Sequence, residues 1–356
     1  MKNIYLEILE LQSSHSPLVL ATVVRTQGST PQKPGCSALF NEMGLVTGTV
    51  GGGIVEGKVQ NLAAELIVSE NSALYHFNLC NDISNLEEAI CGGQIDVLID
   101  LNISNFTPVF EQLNQSLKNN NPGVLITEVT GSNKTTVKIN RYWISEIAKP
   151  SLPADLLTII EPEFTKLISE RNPSGFCELA TGNTDEELST LFLQPFFPPE
   201  QLIIAGAGHI GRALAHLGIL LDFEVTVIDD RPEFANKENI PDADHFIVKD
   251  IGEAFKELNK TGNTYVVIVT RGHKDDASAL RPCIGKGMAY IGMIGSKKKV
   301  SAMRINFIEN GWATNAQWDQ IHTPVGLPIK AQTVEEIAVS IAAELILVRN
   351  SISLNG

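Results

Sequence analysis

Basic residues are scarce in this chain. Its 27 lysines and arginines face 41 aspartates and glutamates, a formal net charge of −14. That balance argues against a general nucleic-acid or membrane-surface binder, while a local basic cluster can still hold a small anionic ligand. Cysteine is sparse and odd in number, five in 356 residues with no CxxC pair. Neither a disulfide framework nor a structural zinc site is therefore expected. No apolar run approaches the ~20 residues of a membrane-spanning helix. The first residues, MKNIYLEILELQ, lack the basic start and small-residue cleavage site of a secretory signal, and they read as an amphipathic helix. The expected compartment is the cytoplasm. There is no sustained repeat and no low-complexity segment.

What is present suits a globular protein, 43% hydrophobic and 19% charged, and too long for one ordinary core. The most informative stretch is QLIIAGAGHIGRALAHLGILLDFEVTVIDDR, residues 201–231. An apolar run from Leu202 to Ala205 stops at Gly206, and the glycines at 206, 208 and 211 spell GxGxxG around His209. Ile210, Leu214, Leu217 and Leu221 then recur at helical spacing, and a second apolar run, Val225 to Ile228, ends in Asp229 and Asp230. In a βαβ unit, Gly206 serves the tight turn, Gly208 lets a pyrophosphate approach the backbone, and Gly211 lets the helix pack on the sheet. Asp229, 18 residues after Gly211, stands where an acid accepts hydrogen bonds from a ribose. The same residues also fit a turn kept for packing alone. The expected fold class is α/β: a C-terminal Rossmann-like parallel-sheet domain at 199–356, after an N-terminal α+β domain at 1–198. The proline-rich QPFFPPE (194–200) reads as the linker.

In the N-terminal part, LVLATVV (18–24) reads as a buried strand and RTQGSTPQKPGCSALF as a loop until about Ser37. A short hairpin is expected around Asn41 to Gly44. Gly51, Gly52 and Gly53 open a helix, whose free N–H groups make an anion site. Glu56 falls in its first turn, where its charge suits the helix dipole. Arg25, Lys33 and Lys58 lie nearby in sequence, and a turn that only relieves crowding is the alternative. ALYHFNL alternates as a strand, and Asn85 to Ala89 is a short helical patch. Cys91-Gly92-Gly93 precedes a strand from Ile95 to Leu101. A cysteine on a glycine turn is open to a ligand, although most free cysteines are buried and inert. Residues 107–119 and 153–171 read as helices, and GVLITEV, TTVKIN and RYWISEI as three strands split at Gly131 to Asn133 and at Asn140. GFCELA reads as a further strand. His15, His76, Cys80 and Cys177 stand isolated and read as structural.

Beyond Asp230, HFIV reads as a third strand of the Rossmann unit, 251–259 as a short helix, and TYVVIVT (264–270) as a strand inside a parallel sheet. It ends in Arg271-Gly272-His273-Lys274-Asp275-Asp276, on the carboxyl edge where open α/β sheets bind ligands. His273 is a candidate proton donor or acceptor, and His273 and Asp276 equally suit a helix cap. AYIGMIGS (289–296) ends at Gly295-Ser296, followed by Lys297, Lys298 and Lys299, which reads as a second phosphate grip. Thr333, with Glu336 three residues on, forms a capping box before a long apolar helix.

Taken together, RTQGSTPQKPG, GTVGGGIVEG, CGGQIDVLID, AGAGHIGRALA, VIDDRPEFAN, VTRGHKDDASAL, AYIGMIGSKKK and VGLPIKAQTVEEIAVSIAAEL resemble the xanthine dehydrogenase accessory family, XdhC/CoxI. The likeness covers roughly 15–101 and 200–348; nothing in about 105–198 carries it. It implies an accessory protein that binds the molybdopterin cofactor, holds it while a cysteine desulfurase supplies its terminal sulfur, and delivers it to a molybdenum hydroxylase apoenzyme. The implied protein is a homodimeric chaperone for a cofactor rather than a turnover enzyme. By motif, the resemblance assigns cofactor binding to Gly51, Gly52, Gly53, Glu56, Cys91, Gly92, Gly93, Gly206, Gly208, Gly211, Asp229, Arg271, Gly272 and His273; His209 within the GxGxxG turn and the Gly295-Ser296 grip complete the candidate cofactor-binding set. Cys91 is the candidate for the dithiolene or molybdenum end, since soft ligands suit that site. Two departures stand out: Lys330 replaces an expected glycine, and Asp100-Leu101 replaces a Glu-Pro strand end. Two other functions remain: an NAD(P)-dependent oxidoreductase using 201–231 with His273 as acid/base, and an adaptor whose Rossmann unit is an empty scaffold.

Overall fold

The computed structural model describes residues 3–11, 17–69, 71–79, 92–133, 136–147, 152, 154–170, 175–181, 189–258 and 262–354. The chain divides into two compact units, Met1–Pro198 and Pro199–Gly356. No described helix is long and apolar enough to cross a membrane.

The first unit holds two antiparallel sheets. It begins with α1 (Ile4–Leu11), β1 (Val19–Gln27), β2 (Ser37–Asn41), β3 (Gly44–Gly48), α2 (Gly53–Ser69), β4 (Ala73–Asn78) and β5 (Gln94–Asp100). These strands form one sheet in the order β3-β2-β1-β5-β4. The period-2 alternation of β1 feeds two cores. Val19, Ala21 and Val23 pack with Val55, Val59, Ala63 and Leu66 of α2. Leu20 points the other way, among Tyr5 and Ile8 of α1 and Phe110 and Leu113 of the helix that follows. That helix is α3 (Thr107–Lys118), succeeded by β6 (Gly123–Asn133), β7 (Thr136–Ser145), α4 (Ala154–Ser169), β8 (Cys177–Thr181) and β9 (Ser189–Phe196). The second sheet runs β7-β6-β9-β8 and packs on α4 through Leu156, Ile160 and Leu167.

Three expectations need correction. TTVKIN and RYWISEI are one strand, because Asn140 sits in the ladder opposite Glu128 and donates to its Oε2 at 3.1 Å. The linker is shorter than QPFFPPE, because Gln194 to Phe196 belong to β9. Pro195 is tolerated there since β8 covers β9 only as far as Leu193. β1 also runs on past Val24 to Gln27, through a bulge between Val23 and Arg25. The region without legible chemistry supplies a buried ion pair: Arg141 on β7 donates to Asp100 at the end of β5 and lies 5.0 Å from the ring centre of Phe106. The expected patch at Asn85 to Ala89, with His15 and Cys80, lies outside the described residues.

The second unit is a parallel sheet with both faces covered. Its elements are β10 (Gln201–Ala205), α5 (His209–Leu220), β11 (Glu224–Asp229), β12 (His245–Val248), α6 (Ile251–Glu257), β13 (Thr264–Ile268), α7 (His273–Leu280), β14 (Tyr290–Met293), α8 (Lys297–Glu309), α9 (Asn315–Trp318) and α10 (Val334–Leu354). The strand order is β12-β11-β10-β13-β14, so the chain reverses direction across the sheet between β10 and β13. One face is buried by α5 and α10 through Leu214, Ala215, Ala338, Ile341 and Leu345. The other is buried by α6, α7 and α8 through Phe255, Leu280, Met303 and Phe307. Double coverage explains why β10 and β13 are continuous apolar runs. Each fully buried leucine of these helices contributes about 2 kcal/mol. The capping box at α10 forms as read: Glu336 N–H donates to Thr333 Oγ1 at 3.2 Å, and Glu336 Oε2 accepts from Thr333 N.

Candidate functional site

The carboxyl edge of the parallel sheet gathers most of the C-terminal candidates. The turn after β10 is tight: a Cβ on Gly206 would lie 2.6 Å from Val269 O, and one on Gly211 would overlap Gly206 O. Both glycines are demanded by close approach. Gly208 is the N-cap of α5, makes no side-chain cap, and has no atom within 4 Å of an added Cβ. His209 follows it, exposed, as the first helical residue.

Asp229 is used inside the protein. It is 2% exposed, and its Oδ2 accepts from Ala207 N at 2.8 Å. Arg231 clasps the same carboxylate, Nε to Oδ1 at 2.8 Å and Nη2 to Oδ2 at 3.0 Å, while its guanidinium lies 3.8 Å from the ring centre of Phe234. Burial raises the Asp229 pKa, but the hydrogen bonds from Arg231 and from the Ala207 and Arg231 amides outweigh it and bring the pKa down to about 2. The exposed acid of this strand end is Asp230, which accepts from Arg271 Nη2 at 3.1 Å.

Beside the ends of β13 and β14 lies an open groove of about 500 Å³, lined by Arg271, Gly272, Ser296, Lys298, Lys299 and Ala302. Ser296 is the N-cap of α8 and accepts from Lys299 N at 3.3 Å. Behind the groove, Asp276 is fully buried and accepts from Thr270 Oγ1 at 2.5 Å and from Lys299 Nζ. Gly272 caps α7, and its carbonyl accepts from Asp276 N at 3.0 Å. The backbone of His273 opens α7. Gly295 lies one residue before the Ser296 cap. Arg271 thus borders both this groove and the crevice where the chain reverses, the usual ligand position of such sheets.

In the first unit three sequence motifs converge. A Cβ on Gly51 would meet Pro31 Cγ at 2.8 Å, and one on Gly93 would meet Gln27 O and Ser29 O at 2.5 Å. The loop at 27–31 is therefore wedged between the start of α2 and the Gly92-Gly93 turn. Gly52 and Gly53 hold φ +66° and +49° with no atom within 4 Å of an added Cβ. Glu56 reaches back over this turn, its Oε2 accepting from Thr49 Oγ1 at 2.7 Å and from Val50 N at 3.3 Å. A carboxylate of the protein's own thus stands at this helix start. Arg25 is committed elsewhere, to Glu178 at 2.7 and 2.5 Å and to Asp96 at 3.1 Å. Cys91 lies outside the described residues. His76 binds Asp96 at 2.6 Å, and burial together with Glu163 pushes the Cys177 thiol pKa up.

Sequence reasoning missed Arg231, Asp276 and Lys299 as a structural set. The Asp-x-Arg spacing at 229–231 was a usable local signal for the first. The pairing of Asp276 with Lys299 bridges two helices and has no local signature.

Comparison with known proteins places this geometry. The model of the XdhC and CoxI family matches residues 11–78, and that of the XdhC Rossmann domain matches 202–345. A Bacillus subtilis protein named as a probable xanthine dehydrogenase component is 25% identical over 99% of this chain and 100% of its own length. Escherichia coli YqeB, named as uncharacterized, is 23% identical over 98% of this chain, which spans 47% of that protein's length. A crystal structure described as a xanthine dehydrogenase from Bacillus halodurans superposes with TM-score 0.74 and 25% identity, covering 98% of this chain and 96% of that one. With both family models matched in order and the fold shared along nearly its whole length, the chain belongs to the XdhC and CoxI family.

Proposed function

We propose that this protein is an accessory factor for a xanthine dehydrogenase-type molybdenum hydroxylase. In this reading it acts in the cytoplasm, as a homodimer. It binds the molybdenum cofactor, keeps it while a cysteine desulfurase provides the terminal sulfur, and passes it to the apoenzyme. The names of the Bacillus relatives support the association with xanthine dehydrogenase. The observation that carries cofactor binding is the cationic groove of Arg271, Ser296, Lys298 and Lys299 on the carboxyl edge of the sheet. Its donors suit a phosphate, through charge-assisted hydrogen bonds. The cofactor itself supplies the dithiolene and the metal; this chain's residues bind and orient it. Cys91 is assigned to the dithiolene end, and unchanged cofactor binding and enzyme maturation in Cys91→Ala removes that role.

The alternative, an NAD(P)-dependent oxidoreductase, draws on the glycine turn at Gly206 to Gly211. It is weakened by Asp229, whose two oxygens are taken by Ala207 and Arg231. The test is to purify the full chain from cells that make the cofactor and to measure released pterin by fluorescence, alongside calorimetric titration with NAD. Stoichiometric pterin is expected. Tight NAD binding without pterin overturns the reading in favour of the oxidoreductase. Failure of both, with retained binding to the apoenzyme, leaves an adaptor.

A further inference from the structure

The groove beside α8 is a cationic feature on a protein of net charge −14, and two of its three cations are held by acids. Asp276, fully buried, receives Lys299 Nζ as well as Thr270 Oγ1. Asp230 receives Arg271 Nη2 at 3.1 Å. Lys298 has no ion-pair partner among the described residues. Side chains already fixed by an acid lose less rotamer entropy when they meet a ligand. The buried Asp276 and the exposed Asp230 offset two of the three cations, which leaves a net positive face that concentrates anions at its mouth. The Ser296 hydroxyl accepts from the Lys299 amide, which leaves its own proton for a ligand oxygen.

The geometry points to this groove as a binding site for a phosphate monoester. A monoester carries about −1.5 to −2 charge at neutral pH and three terminal oxygens. The guanidinium, two ammonium groups and a hydroxyl offer a donor to each of the three oxygens, and the net positive face favours the doubly charged ester. A phosphate bridged on both sides presents only two free oxygens and one charge, and a dinucleotide spreads its charge over two such centres, a pair that suits the open backbone of the glycine turn at the start of α5. The inference rests on the sheet edge being the ligand face, as proposed above, and adds which end of the ligand is held there. It selects a cofactor ending in a phosphate over a dinucleotide whose phosphates are bridged on both sides.

The test is an amide-resonance titration of the ¹⁵N-labelled full chain with glycerol 3-phosphate as the monoester and dimethyl phosphate as the diester. Glycerol 3-phosphate is expected to shift the amides of Gly272, Ser296 and Lys298, and to bind more weakly at pH 5.5 than at pH 8, since the second ionisation of such esters lies near pH ~6. The Arg271→Ala/Lys298→Ala double variant should lose about tenfold or more in affinity, while Lys286→Ala, an exposed charge elsewhere on the unit, changes nothing. Lys299 is left in place because its removal strands Asp276 in the interior. Amide shifts outside the groove report whether the double variant is folded. Equal affinity for dimethyl phosphate, shifts confined to residues 206–210, or a folded double variant that binds like wild type overturns the monoester site. Pterin content separates the two proposals. Undiminished pterin in the double variant sinks the monoester site and leaves the accessory reading intact. Wild type that binds the monoester but no pterin sinks the accessory reading alone.

Discussion

Glycine-rich turns open α2 in the first unit and α5 in the second, yet the glycines answer to different physics. At α5, Gly206 and Gly211 have backbone atoms where a Cβ would sit. At α2, Gly52 has nothing within 4 Å, and its need for glycine comes from φ +66°. The acids differ in the same way. Glu56 leans back over the α2 turn and accepts from Thr49 and Val50. On the sheet edge of the second unit, Asp229 and Asp276 are turned inward onto Arg231 and Lys299. Similar sequence signals therefore mark one helix start occupied by its own carboxylate and one sheet edge that faces outward with cations. An incoming anion has to displace Glu56 at the first and meets pre-set donors at the second.

The steric half of this contrast is broken most directly by Gly211→Ala. The added methyl overlaps Gly206 O, which is backbone within a fully packed strand-to-helix turn. The helix has to move off the sheet, at a cost of about 3 kcal/mol or more. Denaturant unfolding of the second unit measures it. A tolerated Gly→Ala inside a helix stabilises by about 0.4–1 kcal/mol, so a gain, or a loss below about 1 kcal/mol, would mean that α5 slides freely and that packing is not why glycine stands there.

The electrostatic half predicts acid sensitivity. The Asp229 pKa is depressed to about 2, so the carboxylate stabilises the fold above its unfolded pKa near 4, and the contribution is lost as pH falls from about 4 toward 2. The amount is roughly 2 kcal/mol. Asp229→Asn should remove most of this pH dependence, as followed by thermal unfolding between pH 2 and 6. An unchanged acid limb in the variant would show that other carboxylates set it.

Much of the scaffold was readable because its signals are local. Gly206 to Gly211 between two apolar runs announces a βαβ unit within 31 residues, and Thr333 with Glu336 announces a helix start within four. What escaped was long-range. Asn140 reads as a strand break until Glu128, on the neighbouring strand, takes its amide. Asp100 reads as a strand end until Arg141, 41 positions on, is folded against it. The groove was only half legible: the basic run at Lys297 to Lys299 is visible, but nothing in the sequence says that Asp276 holds Lys299 while Lys298 has no ion-pair partner among the described residues. Asp229 was found at the expected spacing and assigned to a ribose, while Arg231, two residues away, claims it.

The backbone conformation at Gly52 predicts smaller effects. Gly52→Ala introduces no clash and costs only the left-handed backbone, about 1–2 kcal/mol. Gly52→Asn should recover most of that loss, since asparagine tolerates this region. At Gly211 the same replacement recovers nothing, because the obstacle there is an oxygen atom. Unfolding of the four variants side by side checks the distinction, and equal losses for alanine and asparagine at Gly52 would refute the conformational explanation.

Lys330 extends that comparison to a position where glycine is missing. It stands where the family resemblance implies glycine, and it holds φ +64°. The loop therefore keeps a glycine-like backbone although a lysine occupies it. The residue is exposed, so its side chain is not retained by packing. A left-handed non-glycine residue costs about 1–2 kcal/mol, and glycine gives back about 0.5–1 kcal/mol of this through its larger unfolded-state entropy. Lys330→Gly should then stabilise the second unit by about 0.5 kcal/mol, a rise of ~1–2 °C in melting temperature. Lys330→Ala keeps the Cβ that causes the cost and should leave stability unchanged. If alanine stabilises as much as glycine, the gain comes from removing a charge, and φ at 330 is not the strained coordinate.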